Sequence, residues 1–164
     1  MRYVTRWLDD DEQRTWRAFL ATSELLYGAL DRQLQRDAGI THTSYVMLAM
    51  LSETPGRSLR MSELAARANS SPSRLSHAVA RLEERGWVRR ERAAQDGRGT
   101  VAVLTDAGWD MLVRTAPGHV GAVREHLFDR LSPEQVKMLG EICDAVLDGL
   151  DPDRTQCPSA LPSG

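Results

Sequence analysis

Six polar side chains crowd one short stretch of the chain: Ser71, Ser73, Arg74, Ser76, His77 and Arg81. Hydroxyls, guanidiniums and an imidazole at this spacing donate hydrogen bonds to base edges and neutralise phosphates. Each has a physical role if the partner is duplex DNA. Arg74 is the first candidate for a base edge, because a guanidinium donates two bonds to O6 and N7 of guanine; a phosphate contact is its alternative. For His77 a base, a phosphate and solvent all stay open. A second polar set follows at Asp96-Gly97-Arg98, where Asp-Gly is a turn signal and Arg98 lies near the tip.

The elements that position these groups are readable from caps and periodicity. Ser71-Pro72 starts a helix, with a hydroxyl for the orphan amides and a proline at the first helical position. Leu75, Ala78, Val79 and Leu82 recur at helical spacing and turn inward, which leaves the polar set on the outer face. Upstream, Ser62 is expected to cap a helix from Glu63 to Ala68 with Leu64, Ala65 and Ala68 as its apolar stripe, and Asn69-Ser70 supplies the turn. Gly86 ends the second helix, and the strand Trp87 to Arg92 pairs with Thr100 to Leu104 around a loop at 93–99. Arg89, Arg90 and Arg92 alternate along that strand and cannot all face DNA, so Arg90 is the candidate to hold the wing instead. A helix-turn-helix followed by such a hairpin is a winged helix.

The ordered set Ser62-Glu-Leu-Ala, Leu82-Glu-Glu-Arg-Gly-Trp-Val-Arg-Arg, Asp96-Gly-Arg98 and Leu104-Thr-Asp-Ala-Gly108 resembles the MarR family of bacterial transcription regulators. The spacing from Asp96 to Gly108 is the specific part. The resemblance implies a mainly α fold with a small β-wing: a winged helix-turn-helix flanked by N- and C-terminal dimerisation helices. It implies a homodimeric, ligand-responsive repressor on an inverted-repeat operator in double-stranded DNA. Arg98 would enter the minor groove, while Asp96 shapes the turn or pairs with a nearby arginine. Intertwined terminal helices put Trp16, Leu139, Ile142 and Val146 in the dimer region. A cleft for a small aromatic or phenolic effector would be lined by Trp16, Phe19, His42, Tyr45 and Met50, each of which serves equally well as core. The competing reading is a winged-helix protein-interaction module without DNA binding. Such a module predicts an outer helix face poor in basic residues and a neutral wing, whereas this chain carries Arg74, Arg81 and Arg98.

Four segments are expected: an N-terminal dimerisation helix at 1–38, the winged helix-turn-helix at 39–108, C-terminal dimerisation helices at 109–150 and a disordered tail at 151–164. The first helix, from about Asp11 to Gln35, carries Trp16, Phe19 or Leu20, Ser23, Leu26 or Tyr27, Leu30 and Leu34 on one stripe, and Gly39 ends it. A second runs from Thr41 to Ser52, and Pro55-Gly56 breaks the chain after it. Thr105 caps a helix containing Trp109, Leu112 and Val113, which Pro117-Gly118 is expected to kink or interrupt. Ser132-Pro-Glu-Gln135 is a capping box. It opens a helix with Val136, Leu139, Ile142, Cys143, Val146, Leu147 and Leu150 on a broad apolar face. That face needs a partner, and the core of a monomer is its alternative.

The chain has 164 residues, 41% of them hydrophobic, enough for one compact core plus an extension that dimerisation would cover. Its net charge of -2 argues against nucleic acid only until its distribution is read. Residues 57–98 hold ten arginines and five acidic groups, a local +5 that leaves -7 on the rest. A basic patch on an acidic body gains affinity for DNA through counterion release. Lys137 is the sole lysine. No apolar run approaches a membrane span or a signal-peptide core, so a cytoplasmic protein is expected. No cofactor and no metal are expected, because His42, His77, His119 and His126 are scattered. Cys143 reads as inert packing and Cys157 lies in the tail. The absence of a Gly-rich phosphate loop, a Gly-x-Ser-x-Gly elbow and a His-Glu-x-x-His pair argues against an enzyme.

Overall fold

A reciprocal cap launches the first helix, α1 (Asp10–Ala38). Asp9 Oδ1 accepts from the Glu12 amide at 2.8 Å while Glu12 Oε2 accepts from the Asp9 amide at 2.9 Å. Gly39 ends the helix in the left-handed region at φ 62, where a side chain would be strained. The computed structural model describes residues 5–93, 99–153 and 155–156. Thr41 then caps α2 (His42–Ser52), whose Tyr45, Met47, Leu48 and Leu51 are buried.

A short strand, β1 (Ser58–Arg60), follows a 3-10 turn at Pro55–Arg57 and leads without a break into α3 (Met61–Arg67). Ser62, expected to cap this helix, lies inside its first turn; Arg60 occupies the cap position and makes no side-chain capping bond. The cause is strand pairing. Hydrogen bonds to a partner strand hold Ser58 to Arg60 extended, so the chain turns from strand to helix with no separate capping residue. Helix α4 (Pro72–Glu84) starts at the expected cap, Ser71, whose side chain accepts from the Arg74 amide. Leu75, Ala78, Val79 and Leu82 are its buried residues, as the spacing predicts.

The wing consists of β2 (Val88–Arg92) and β3 (Thr100–Leu104), paired antiparallel from Val88↔Leu104 to Arg92↔Thr100. On the other side of β3, β1 pairs with the register Ser58↔Val103, Leu59↔Ala102 and Arg60↔Val101, giving the order β1-β3-β2 among the described residues. Trp87 ties the wing to its neighbours: its amide donates to Leu82 O and its carbonyl accepts from the Thr105 amide, both at 3.0 Å.

Thr105 caps α5 (Asp106–His126). A Cβ added at Gly108 would stand 2.2 Å from Trp87 O, so only glycine lets the helix start so close to the wing. The expected interruption at Pro117-Gly118 is absent, and α5 runs through both residues. Here α1 packs along α5, and a Cβ at Gly118 would lie 3.3 Å from Asp37 Oδ2. Close helix packing holds the segment helical although proline removes one backbone hydrogen bond.

The core gathers around Leu34, Leu48, Leu51, Leu64, Leu75, Val79 and Val88, all fully buried. Each such side chain contributes roughly 1.5–3 kcal/mol relative to exposure. The last helix, α6 (Pro133–Leu150), has the expected Ser132 capping box and buries no residue at all. Met138, Ile142, Val146 and Leu150 are exposed, so the alternative that this stripe is the core of a monomer fails. Cys143, expected to be packed, is exposed as well, on a helix none of whose residues is buried by the described residues. Beyond α6, Asp151 accepts from the amides of Thr155 and Gln156 at 3.0 and 2.8 Å. The rest of the expected tail, with Cys157, lies outside the described residues.

Candidate nucleic-acid interface

Helix α4 presents Ser71, Ser73, Arg74, His77 and Arg81 as exposed residues on the face opposite its buried stripe, with Ser76 half-buried beside them. Ser71 Oγ accepts from the Arg74 amide at 3.3 Å and so serves the fold as well as the surface. The guanidiniums of Arg74 and Arg81 form no ion pair among the described residues. Their neighbours behave differently. Arg67 pairs with Glu63 at 2.7 Å and Arg57 with Asp106 at 3.5 Å, while Arg89 is paired with Glu91. Arg57 also sits over the Trp109 ring at 4.1 Å and Arg85 over Trp87 at 4.9 Å. The sequence shows a stretch of net positive charge; the fold sorts its arginines into those held by carboxylates or indoles and those that face outward unpaired.

Arg90 is the most engaged of these. Its backbone amide donates to Glu83 Oε1 at 2.9 Å, its Nε donates to Glu83 Oε2 at 2.7 Å, and a terminal nitrogen donates to Ser76 Oγ at 3.3 Å. The side-chain hydrogen bond from Arg90 holds the Glu83 carboxyl below its ordinary range, and the same bond raises Arg90. Arg90 therefore ties the wing to α4, in the role the alternating strand left open. Asp96, Gly97 and Arg98 lie outside the described residues; the loop they belong to is closed by the Ala93 amide donating to Gly99 O at 3.2 Å.

The five effector-cleft candidates do not converge on one place. Trp16 and Phe19 stack on each other on the exposed part of α1, with ring centroids 6.1 Å apart. Tyr45 is buried, and Met50 packs half-buried against the core. His42 instead belongs to a chain of rings that sequence spacing does not reveal. It meets Tyr27 of α1 at 5.4 Å and His119 of α5 at 5.6 Å, and His119 meets Tyr45 at 4.5 Å. Gln33, buried, reaches His119 Nδ1 at 3.4 Å and donates to Asp37 Oδ2 at 2.7 Å. The His42 amide donates to Asp31 Oδ1 at 2.8 Å. Burial lowers the pKa of His42, partly offset by Asp31; burial and the neighbouring His42 lower that of His119. Burial also raises Tyr45. Among the described residues no three His, Cys, Asp or Glu side chains gather in a metal-binding arrangement, and no helix is long and apolar enough to cross a membrane. Of the dimer candidates, Trp16, Ile142 and Val146 are 50%, 55% and 53% exposed and Leu139 is half-buried.

The MarR family model matches residues 38–99, which hold the helix-turn-helix and the outgoing wing strand. Over 97 residues the chain is 34% identical to the HTH-type transcriptional repressor Rv2887 of Mycobacterium tuberculosis, covering 59% of this chain and 68% of that protein. The chain belongs to the MarR family. Another relative, the transcriptional repressor MprA of Escherichia coli K12, is 28% identical over 113 residues; the match spans 69% of this chain and 64% of MprA, a little under two thirds. The MarR-family likeness extends over the flanking helices as well. The crystal structure of Sco3205, a MarR family transcriptional regulator from Streptomyces coelicolor in complex with DNA, superposes with a TM-score of 0.87. It is 55% identical and covers 96% of this chain and 98% of its own.

Proposed function

We propose that this chain is a transcription repressor that binds an inverted-repeat operator as a homodimer. The observation that carries the reading is the selective exposure on α4: Arg74, His77 and Arg81 face outward while Arg67, Arg89 and Arg90 on the neighbouring elements are held by carboxylates. A two-fold dimer would set two such helices in successive major grooves, about 34 Å apart. Ser71, Ser73, Arg74, Ser76, His77 and Arg81 are the proposed contacts of the helix, and Asp96 and Arg98 belong to the proposed wing tip. The dimer would form through Trp16, Leu139, Ile142 and Val146, supported by an α6 that buries nothing within its own chain.

A small aromatic or phenolic effector would act as a population shift, lowering DNA affinity only by binding better to the geometry that does not fit the operator. Among the proposed pocket residues, His42 and Tyr45 both stand against His119 at the junction of α1, α2 and α5, between the apolar terminal helices and the lobe that holds α4. The proposed role has no catalytic step and is exercised on the chromosome, hence in the cytoplasm.

The test is a gel-shift titration against the intergenic DNA beside the chain's own gene, with scrambled competitor and several salt concentrations. Specific, salt-sensitive binding by a dimer is expected, followed by operator definition through random-sequence selection. Failure of both experiments to yield any sequence preference would remove the repressor reading and leave a protein-interaction module.

A further inference from the structure

We infer that Glu83 and Arg90 are positioning residues for DNA recognition: their ion pair fixes the wing against α4, and Arg90 does not itself bind a phosphate. The inference rests on the DNA-binding reading proposed above.

Three observations carry it. The first is engagement. Nε and one terminal nitrogen of Arg90 are directed at the Glu83 carboxylate and the other terminal nitrogen at Ser76, so every nitrogen of the guanidinium is already turned toward α4. The second is span. Ser76 and Glu83 lie two turns apart on the same face of α4, so one side chain from the middle of β2 bridges that length of helix. The Glu83 carboxylate also accepts the Arg90 backbone amide, which fixes strand and helix to each other, not only two flexible side chains. Rotation of α4 about its axis, or a slide along β2, breaks all of these bonds together. The third is place. Ser76 and Arg90 line a cleft of about 360 Å³ with Pro72, Arg60, Gly99 and Thr100, between the start of α4 and the loop end of the wing.

Two consequences follow from the chemistry. A duplex touched by both α4 and the wing requires their separation to match the distance between adjacent grooves, and a preset separation removes an ordering cost at binding. In addition, a cation donating into Ser76 Oγ occupies one lone pair and polarises the hydroxyl, which favours Ser76 as a donor toward acceptors on the DNA. Arg90 thereby sets the direction in which Ser76 reads.

The decisive variant is Glu83→Gln, because the two roles of Arg90 predict opposite signs. A positioning pair predicts that operator affinity falls about tenfold while affinity for scrambled DNA holds or rises, with the salt slope unchanged. A phosphate-binding Arg90 would be released by the same substitution, and operator binding would hold or tighten; that result overturns the inference. Arg90→Gln supplies the second reading: an unchanged salt slope supports positioning, and a slope reduced by about 0.9 marks a lost phosphate contact and overturns it. Thermal melts establish that each variant is folded. Should Glu83→Gln melt below the assay temperature, Arg90→Lys keeps the charge but loses the planar fork. It should show the same narrowing between operator and scrambled DNA, and undiminished discrimination overturns the inference. Lack of discrimination by the unsubstituted protein is a different failure, that of the DNA-binding reading itself.

Discussion

The lobe built from α2, β1, α3, α4, β2 and β3 and the helix α6 are made of similar apolar residues put to opposite uses. The lobe is buried within the chain: α4 alone buries Leu75, Ala78, Val79 and Leu82, Leu34 of α1 and Met111 and Leu112 of α5 join the same core, and Arg89 and Arg90 of the wing are paired with Glu91 and Glu83. Helix α6 has a sound capping box and an apolar stripe with no buried residue. Helix α1 shows both behaviours along its length, with Leu30, Gln33 and Leu34 buried toward its end and Trp16, Phe19 and Leu20 exposed toward its start. One region buries its stripes within the chain, the other leaves its stripe uncovered among the described residues, and amphipathic periodicity is the same signal in both.

The sharpest way to break this contrast is to charge the uncovered stripe. Ile142→Asp combined with Val146→Asp would bury carboxylates in the proposed interface at several kcal/mol each, raising the dimer dissociation constant by about a thousandfold or more. Sedimentation should then show monomers with helical content intact; a persisting dimer would place the interface elsewhere. Within the lobe, Leu48→Ala removes a fully buried side chain. It should lower unfolding stability by about 2–5 kcal/mol in urea titrations, and a loss below about 1 kcal/mol would mean the core is looser than its packing suggests. Arg74→Ala sharpens the comparison on the lobe's outer face, where neither fold nor assembly should change. Discrimination at one symmetric pair of base positions should relax by about 1–3 kcal/mol in competition assays, whereas a uniform loss on all sequences would make Arg74 a phosphate contact.

The smallest effect belongs to the ring cluster where α2 meets α1 and α5. His42 and His119 both have pKa values below the ordinary 6.5, so the folded state favours neutral rings more than the unfolded chain does. Their contribution to stability is complete above pH 6.5 and is lost as the pH falls below that value toward the folded-state pKa values. Asp31 faces His42, while Gln33, Tyr45 and His42 face His119. His119→Gln should flatten the fall in urea midpoint between pH 7.5 and 5.5; an identical slope in the variant would assign the acid sensitivity to other groups.

What sequence reading reached and what it missed divide along a physical line. Helix starts set by a local cap, such as Ser71-Pro72 and Ser132 to Gln135, are visible because donor and acceptor are three residues apart. The outer face of α4 is visible for the same reason, since a helix sorts its own residues by period. Strand β1 is too short to show a period and exists only because β3 pairs with it, and the misplaced cap at Ser62 is a consequence. Continuity of α5 through Pro117 depends on α1 lying alongside. The partners of Arg90 and the ring chain through His42 and His119 depend on which surfaces the fold brings together, which no local spacing encodes.

The pairing of β1 with β3 also orders events in time. Ser58 and its partner Val103 enclose α3, α4 and β2 between them, so the whole reading head is a loop pinned at its two ends. A ribosome adding about 5–20 residues per second releases β3 some seconds after β1. During that interval the head has its helices but not its closing strand, and the earlier helices wait with their apolar residues uncovered. The nascent chain is therefore most vulnerable to wrong partners just before the segment Thr100–Leu104 emerges, and codons that slow synthesis upstream of it would lengthen that exposure.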